Sequence, residues 1–324
     1  MSSLTAYKQL TLVEVAKRKD PSGNLATIAE VLNESNDIIG DAVWREANDT
    51  FSNKTVRRAN LPSGSWRKLN EGVAPESSET IEKVDTIGML ETWSMTDVEI
   101  INAFPNPTQA RNDEAMAFVE GLGQTMAESM IYGNSATTPE RFTGLAPRLA
   151  TIVATENVLN EGGSSGSDQT SIFVVDWGPN SCHMIYPKGS VAGLQHKDKG
   201  IETVRNSSND MYEAYVDKFV WKAGMVVKNS KSIGRVANIE EDGSTNIFDE
   251  DTLITLVNRM TKGPGRRIYV HQNVKTMMDI RVKDKSNVNY TFIDGLAPGP
   301  VLTFMGIPVR QVDQILITEG ALTT

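Results

Sequence analysis

Any chemistry in this chain would have to start from three histidines, one cysteine and a few acidic clusters. Cys182 and His183 are adjacent, and a thiolate beside an imidazole is a nucleophile in many enzymes. Their segment, Cys182 to Tyr186, reads as a strand, however, and neighbours on a strand point to opposite faces. His183, His196 and His271 fall in unrelated segments, with neither the HExxH spacing nor the paired cysteines of a zinc site. Gly162-Gly163-Ser164-Ser165-Gly166 lacks the lysine and the strand–helix frame of a phosphate loop, so it reads as a linker. Glu240-Glu241-Asp242 has cation-binding chemistry but reads better as a solvated turn, and Asp249-Glu250-Asp251 is explained as charge at a helix N-terminus. Met225, Met277 and Met278 read as core filler rather than a soft-metal site. No active site assembles from these residues, so the chain is expected to be no enzyme and to need no cofactor or metal.

Without a reacting centre, the informative residues are those that could meet another protein. Lys54, Arg57, Arg58, Arg67 and Lys68 form the one local concentration of positive charge in an acidic chain. Either they are solvated along a hairpin, or they seek an acidic neighbour. Glu76, Glu79 and Glu82, or Asp113 and Glu114 of another copy, would serve. Exposed ion pairs are worth about 0–1 kcal/mol each, so such contacts would set register rather than affinity.

Those charges need an element to carry them. Thr55 to Arg58 reads as one strand and Thr80 to Ser94 as another, with breaks at Leu61-Pro62-Ser63-Gly64 and Gly72-Val73-Ala74-Pro75. The spacing predicts an extended β-hairpin loop over 46–98, with little apolar content to bury at its tip. A lone two-stranded ribbon is marginal in water, so this is either a disordered loop or an arm laid across another subunit. Upstream, Leu10, Leu12, Val13, Val15 and Ala16 give one short apolar face, and Leu25, Ile28, Val31 and Leu32 another. Both are too short to stand alone. They predict an N-terminal arm over 1–45.

The clearest element is a helix from about Asn112 to Tyr132, on the stripe Ala115, Phe118, Val119, Leu122, Met126 and Met130. Asp113 and Glu114 would occupy its first turn, and Gly133-Asn134 its stop. Gly121 and Gly123 lie in its middle, each costing up to about 1 kcal/mol against alanine. Either they permit close packing or they let the rod bend. Beyond it, strands are predicted at Ser171 to Trp177, Cys182 to Tyr186, Tyr212 to Val227 and Gly234 to Ile239. A helix at about Asp249 to Met260, a strand at Arg267 to His271, a helix at Asn273 to Val282 and a strand pair around Leu302 to Val309 complete a mixed α+β chain.

Composition narrows the partners. The 324 residues carry a formal charge of −9 and a pI near 5.0. Tight DNA binding normally needs a basic face that displaces counterions, so a chain of this charge would enclose nucleic acid without gripping it. A lone cysteine forbids an internal disulfide. The first residues lack the pattern of a signal peptide, and no apolar run is long enough to span a membrane. The triplets at Asn48, Asn53, Asn206 and Asn289 therefore say nothing of glycosylation, and assembly in a cytoplasm is expected.

Taken in order, the segments resemble the major capsid proteins of tailed bacteriophages with the Hong Kong 97 type fold, in the branch of short-tailed phages such as epsilon fifteen and the Bordetella phages. Five stretches carry the likeness, which covers nearly the whole chain. They are Trp66 to Gly72, Ala127 to Arg148, Ile185 to Ser190, Trp221 to Val227 and Phe304 to Val309. The resemblance implies a shell of hexamers and pentamers enclosing double-stranded DNA, built with a scaffolding protein and a portal, and in some relatives a cement or decoration protein. It implies a virion component assembled in the bacterial cytoplasm. It also implies four parts: an arm (1–45), an extended loop (46–98), a peripheral domain (99–247) with a spine helix at 112–132, and an axial domain (248–324). Lysine–asparagine crosslinks of some relatives are not expected, although Lys54 and Lys68 lie on the loop. A tail-tube or decoration protein is the alternative; those are mostly β and usually lack so long a helix.

Overall fold

The computed structural model describes residues 36–152, 157–163, 168–241, 245–282, 290–293 and 301–322. The apolar faces expected at 10–16 and 25–32 lie outside them. The described chain opens with a short helix, α1 (Asp37–Asp41), and a three-residue strand, β1 (Trp44–Glu46). Next come β2 (Ser52–Asn60) and the 19-residue β3 (Glu79–Asp97). A short α2 (Val98–Asn102) leads into α3 (Pro107–Tyr132), and α4 (Leu145–Arg148) follows. The remaining strands are β4 (Val158–Asn160), β5 (Gln169–Asp176), β6 (Cys182–Tyr186), β7 (Leu194–Arg205), β8 (Met211–Val227) and β9 (Ile233–Glu240). Helix α5 (Glu250–Arg259), β10 (Arg266–Val270), α6 (Gln272–Val282), β11 (Tyr290–Ile293), β12 (Val301–Phe304) and β13 (Ile307–Gln311) finish it.

These form two sheets. The first runs β1-β6-β8-β3-β2, with β7 also on β8. In it β3 serves two partners. Its second half pairs antiparallel with β8 from Ile87↔Gly224 to Asp97↔Ala214. Its first half leaves β8 and pairs only with β2, from Ser52↔Thr86 to Asn60↔Glu79. That free stretch is the predicted hairpin. Strand β7 was not legible beforehand, because its run of lysine, aspartate and glutamate is depleted in strand formers; pairing with β8 from Leu194↔Trp221 to Arg205↔Met211 imposes it.

The second sheet runs β11-β12-β13-β10-β5-β9-β4. All eight residues of β5 are buried, as suits a central strand covered on both faces. On one side Leu253, Leu256 and Val257 of α5 and Val274 and Met278 of α6 pack on Ile172, Val174, Val236 and Ile268. On the other, Phe173, Val175, Ile233 and Tyr269 meet Met126, Met130 and Ile131 of α3 and Met184, Ala223 and Met225 of the first sheet. β5 and β9 hydrogen-bond within the same sheet as β10, so this sheet takes strands from both sides of the division expected at 247/248.

Helix α3 also differs from its prediction. It begins at Pro107, whose missing N–H costs nothing at the first helical position. Asn106 caps it, its side-chain oxygen accepting the Gln109 N–H at 3.3 Å. Asp113 and Glu114 therefore lie past the first turn. At about 1.5 Å per residue the rod is about 39 Å long. Its C-terminal half is buried, whereas Met116, Val119 and Gly121 face solvent. It stops at Gly133 by close approach rather than by a left-handed turn: a Cβ there would lie 2.5 Å from the carbonyl oxygens of Ser129 and Phe142.

A buried polar knot joins the second sheet to α3. Glu319 accepts hydrogen bonds from Tyr132 and Ser171 and pairs with Arg235 at 2.9 Å. Arg235 also donates to Ser171 Oγ at 3.0 Å and to the Leu149 carbonyl at 3.2 Å. Burial, and then the Glu319 carboxylate, push the Tyr132 phenol far above its usual range. Leu322 closes the same segment, exchanging backbone hydrogen bonds with the buried Asn238 side chain at 2.8 and 3.0 Å.

Candidate assembly interface

The histidines and the cysteine do not converge. Cys182 is enclosed in the core between the sheets, where burial raises its thiol to about 12, so it stays protonated and unreactive. His183 points to the opposite face, and burial, then Lys228, lower its imidazole to about 4. His271 Nδ1 accepts the Asn273 N–H at the start of α6. Only His196 joins a charged cluster: Asp217 lies 2.9 Å from its Nε2, and Arg111 of α3 bridges Asp217 and Asp198, each at 3.1 Å. No sequence spacing links 111, 196 and 217. The cluster fastens the start of α3 to β7 and β8, and no nucleophile is placed in it.

The basic residues lie on the ribbon of β2 and β3 or on its tip with Glu76, Glu79 and Glu82, whereas Asp113 and Glu114 lie on α3. Lys54 does not await another copy: it pairs with Glu82 across its own ribbon at 3.7 Å, both side chains more than half exposed. Such a pair is worth little. Arg57 lies half-buried on the inner face, with Nε and Nη2 unmatched by any hydrogen-bond acceptor. Arg58, Arg67, Lys68, Glu76 and Glu79 are exposed.

The ribbon is rooted by charge. Arg148 of α4, 9% exposed, donates to Asp85 of β3 at 2.9 Å and to the carbonyls of Thr143 and Met225. Lys83 approaches the same carboxylate at 3.9 Å, and burial followed by Arg148 lowers its amine. Arg57, Lys83 and Arg148 thus crowd one aspartate.

Beyond the root, residues 61–78 form a loop without helix or strand, every residue of it exposed. The few apolar side chains of this tip are not buried. Trp66 is 103% exposed and Leu69 91%, with Leu61 and Val73 also in solvent. A loop this long without structure of its own is uncommon in a compact domain unless it binds something. Bare tryptophan and leucine at the end of a stiff ribbon point to contact with protein.

Comparison with known proteins agrees with that geometry. A model of the family described as Major capsid protein GP7 matches residues 20–323. The structure is similar to that of the bacteriophage Epsilon15 protein determined by electron cryomicroscopy, with a TM-score of 0.75, 28% identity and 100% of both chains covered. The SrpI encapsulin of Synechococcus elongatus matches more distantly, at 10% identity and a TM-score of 0.49 over 71% of this chain and 97% of its own. No curated protein matches. No helix among the described residues is long and apolar enough to cross a membrane. The chain belongs to the Major capsid protein GP7 family and is a structural subunit of an icosahedral bacteriophage shell.

Proposed function

We propose that the β2–β3 ribbon and its tip work as the extended loop of this subunit, lying across a neighbouring copy in hexamers and pentamers. The observation that carries this reading is the full exposure of residues 61–78, with Trp66 and Leu69 among them. Helix α3 is the spine, the first sheet the peripheral body, and the second sheet with α5 and α6 the axial body. Arg58, Arg67 and Lys68 are positioned to pair with acidic residues of an adjacent copy, and Glu76 and Glu79 with basic ones. The shell encloses double-stranded DNA of a tailed phage without binding it tightly, in keeping with the net charge of −9. A scaffolding protein, a portal and a cement protein are its expected partners, and assembly takes place in the host cytoplasm. Co-expression with a scaffold, followed by electron microscopy, should yield closed shells or capsomers. A compact monomer at every concentration would overturn the proposal.

Gly121 and Gly123 then serve as the bend of the spine when the shell expands. Close packing within the chain does not account for them, since a Cβ at either meets nothing within 4 Å. Thr125 Oγ1 donates back to the Gly121 carbonyl at 2.9 Å, a bond that favours helix bending. Alanine at both positions should stabilise the free subunit by up to about 1 kcal/mol each, read by thermal denaturation. It should also slow expansion of precursor shells; expansion at the wild-type rate would remove the bend.

A further inference from the structure

A groove of about 410 Å³ lies between α3 and β3, formed by Leu90, Thr92, Ala117, Phe118, Gly121 and Leu122. A second hollow of about 200 Å³ shares Leu90 with it and extends toward Met126 and Ser129. We propose that this groove receives Trp66 of a neighbouring copy, which deepens and rests on the reading of the ribbon as an intersubunit arm.

Reach excludes the chain's own tip. The ladder of β2 and β3 ends at Asn60↔Glu79, and Leu90 lies eleven residues further along β3. At about 3.4 Å per residue that is about 37 Å. Trp66 follows Asn60 by six residues, which span at most about 22 Å fully extended. The knob cannot reach its own hole. An identical copy carries the same hole.

Shape and charge fit as well. An indole offers 150–250 Å² of apolar surface to a hollow that holds roughly one side chain of that size. The missing side chain at Gly121 keeps the floor open, with nothing within 4 Å of a Cβ built there. Glu120 stands on the helix beside the groove, and Glu91 on its rim is paired with Lys218 at 2.7 Å, while Arg67 and Lys68 directly follow Trp66. The exposed half of α3 is acidic, with Asp113, Glu114 and Glu120 against Arg111, and Arg111 is already engaged by Asp198 and Asp217. A basic tip with an aromatic knob thus meets an acidic wall with an apolar slot.

The test uses assembled shells of the full chain carrying Ser65→Cys and Ala117→Cys, treated with a short bismaleimide. Cys182 is buried and stays silent. The expected result is a ladder of linked subunits on denaturing gels, absent from either single variant. In the same background, Trp66→Phe should keep the ladder. Trp66→Ala should abolish it or raise the concentration needed for assembly at least tenfold, as truncation of a buried aromatic anchor does. Shells that form without a ladder, or that assemble with Trp66→Ala at the wild-type concentration, would overturn the docking while leaving the capsid reading intact. A wild-type chain that forms no shells at all would instead defeat the reading on which it rests.

Discussion

Replacing Glu319 with alanine should lower the stability of the subunit by about 3–5 kcal/mol, the usual cost of stripping one partner from a buried ion pair. Arg235 is about 5% exposed in its side chain and would keep its charge with no carboxylate beside it. Tyr132 and Ser171 would lose the acceptor of their hydroxyl protons as well. Against the 5–15 kcal/mol typical of a folded domain, the loss is large. Glu319→Gln keeps the shape and should cost less, roughly the 1.5–3 kcal/mol of a charge-assisted hydrogen bond. Chemical denaturation of the unassembled subunit reads both. The control is Arg235→Met combined with Glu319→Leu. Removing both charges should recover much of the stability, because an apolar replacement of a buried pair is often neutral. A Glu319→Ala variant that unfolds at the wild-type denaturant concentration would show that the knot does not clamp the second sheet to α3.

The second large effect is expected at the root of the ribbon. Asp85→Ala removes the one carboxylate that the described residues place among Arg57, Lys83 and Arg148, and Arg148 is too buried for water to take its place. The expected cost is again about 3–5 kcal/mol, but its distribution should differ. The body is held by its two apolar cores, so the loss should concentrate in the ribbon. Amide exchange across Ser52–Asn60 and Glu79–Thr86 should rise far more than across β5 or β8, and proteases should cut the ribbon strands as well as the tip. Arg148→Met in the same chain should restore protection in part by removing the stranded cation. Uniform acceleration of exchange through both sheets would mean that Asp85 supports the whole body rather than the ribbon.

Much of this arrangement could be read from residue order. Val56, Ile81 and Val84 marked the ribbon by strand propensity alone, since all three are exposed. Leu122, Met126 and Met130 marked the buried half of α3, because local periodicity records which face is covered. The apolar run at Ile172 to Val175 marked a central strand for the same reason. The start of α3 was present as Asn106-Pro107 but was masked by a polar first stretch with no apolar stripe. The joining of β5 and β9 to β10 was not legible, because sheet neighbours far apart in sequence leave no local trace. The same holds for Glu319 with Arg235, 84 residues apart, and for Arg148 with Asp85, 63 apart. Of the candidate contact residues, the charges were visible as a cluster. Trp66 and Leu69, by contrast, entered only through the family likeness of Trp66 to Gly72, and their full exposure among the described residues was not legible.

The continuity of β3 has a mechanical corollary. One uninterrupted backbone runs from Glu79, at the outer end of the ribbon, to Asp97, beneath the start of α2. There is no joint along it to absorb rotation. If the tip grips a neighbour as proposed, a torque applied there would travel along that single beam and arrive at β8 as a shear on the main sheet. Each subunit would thereby sense the tilt of the next through covalent bonds, and a change of curvature at one point of the shell could spread around a ring without any diffusible signal.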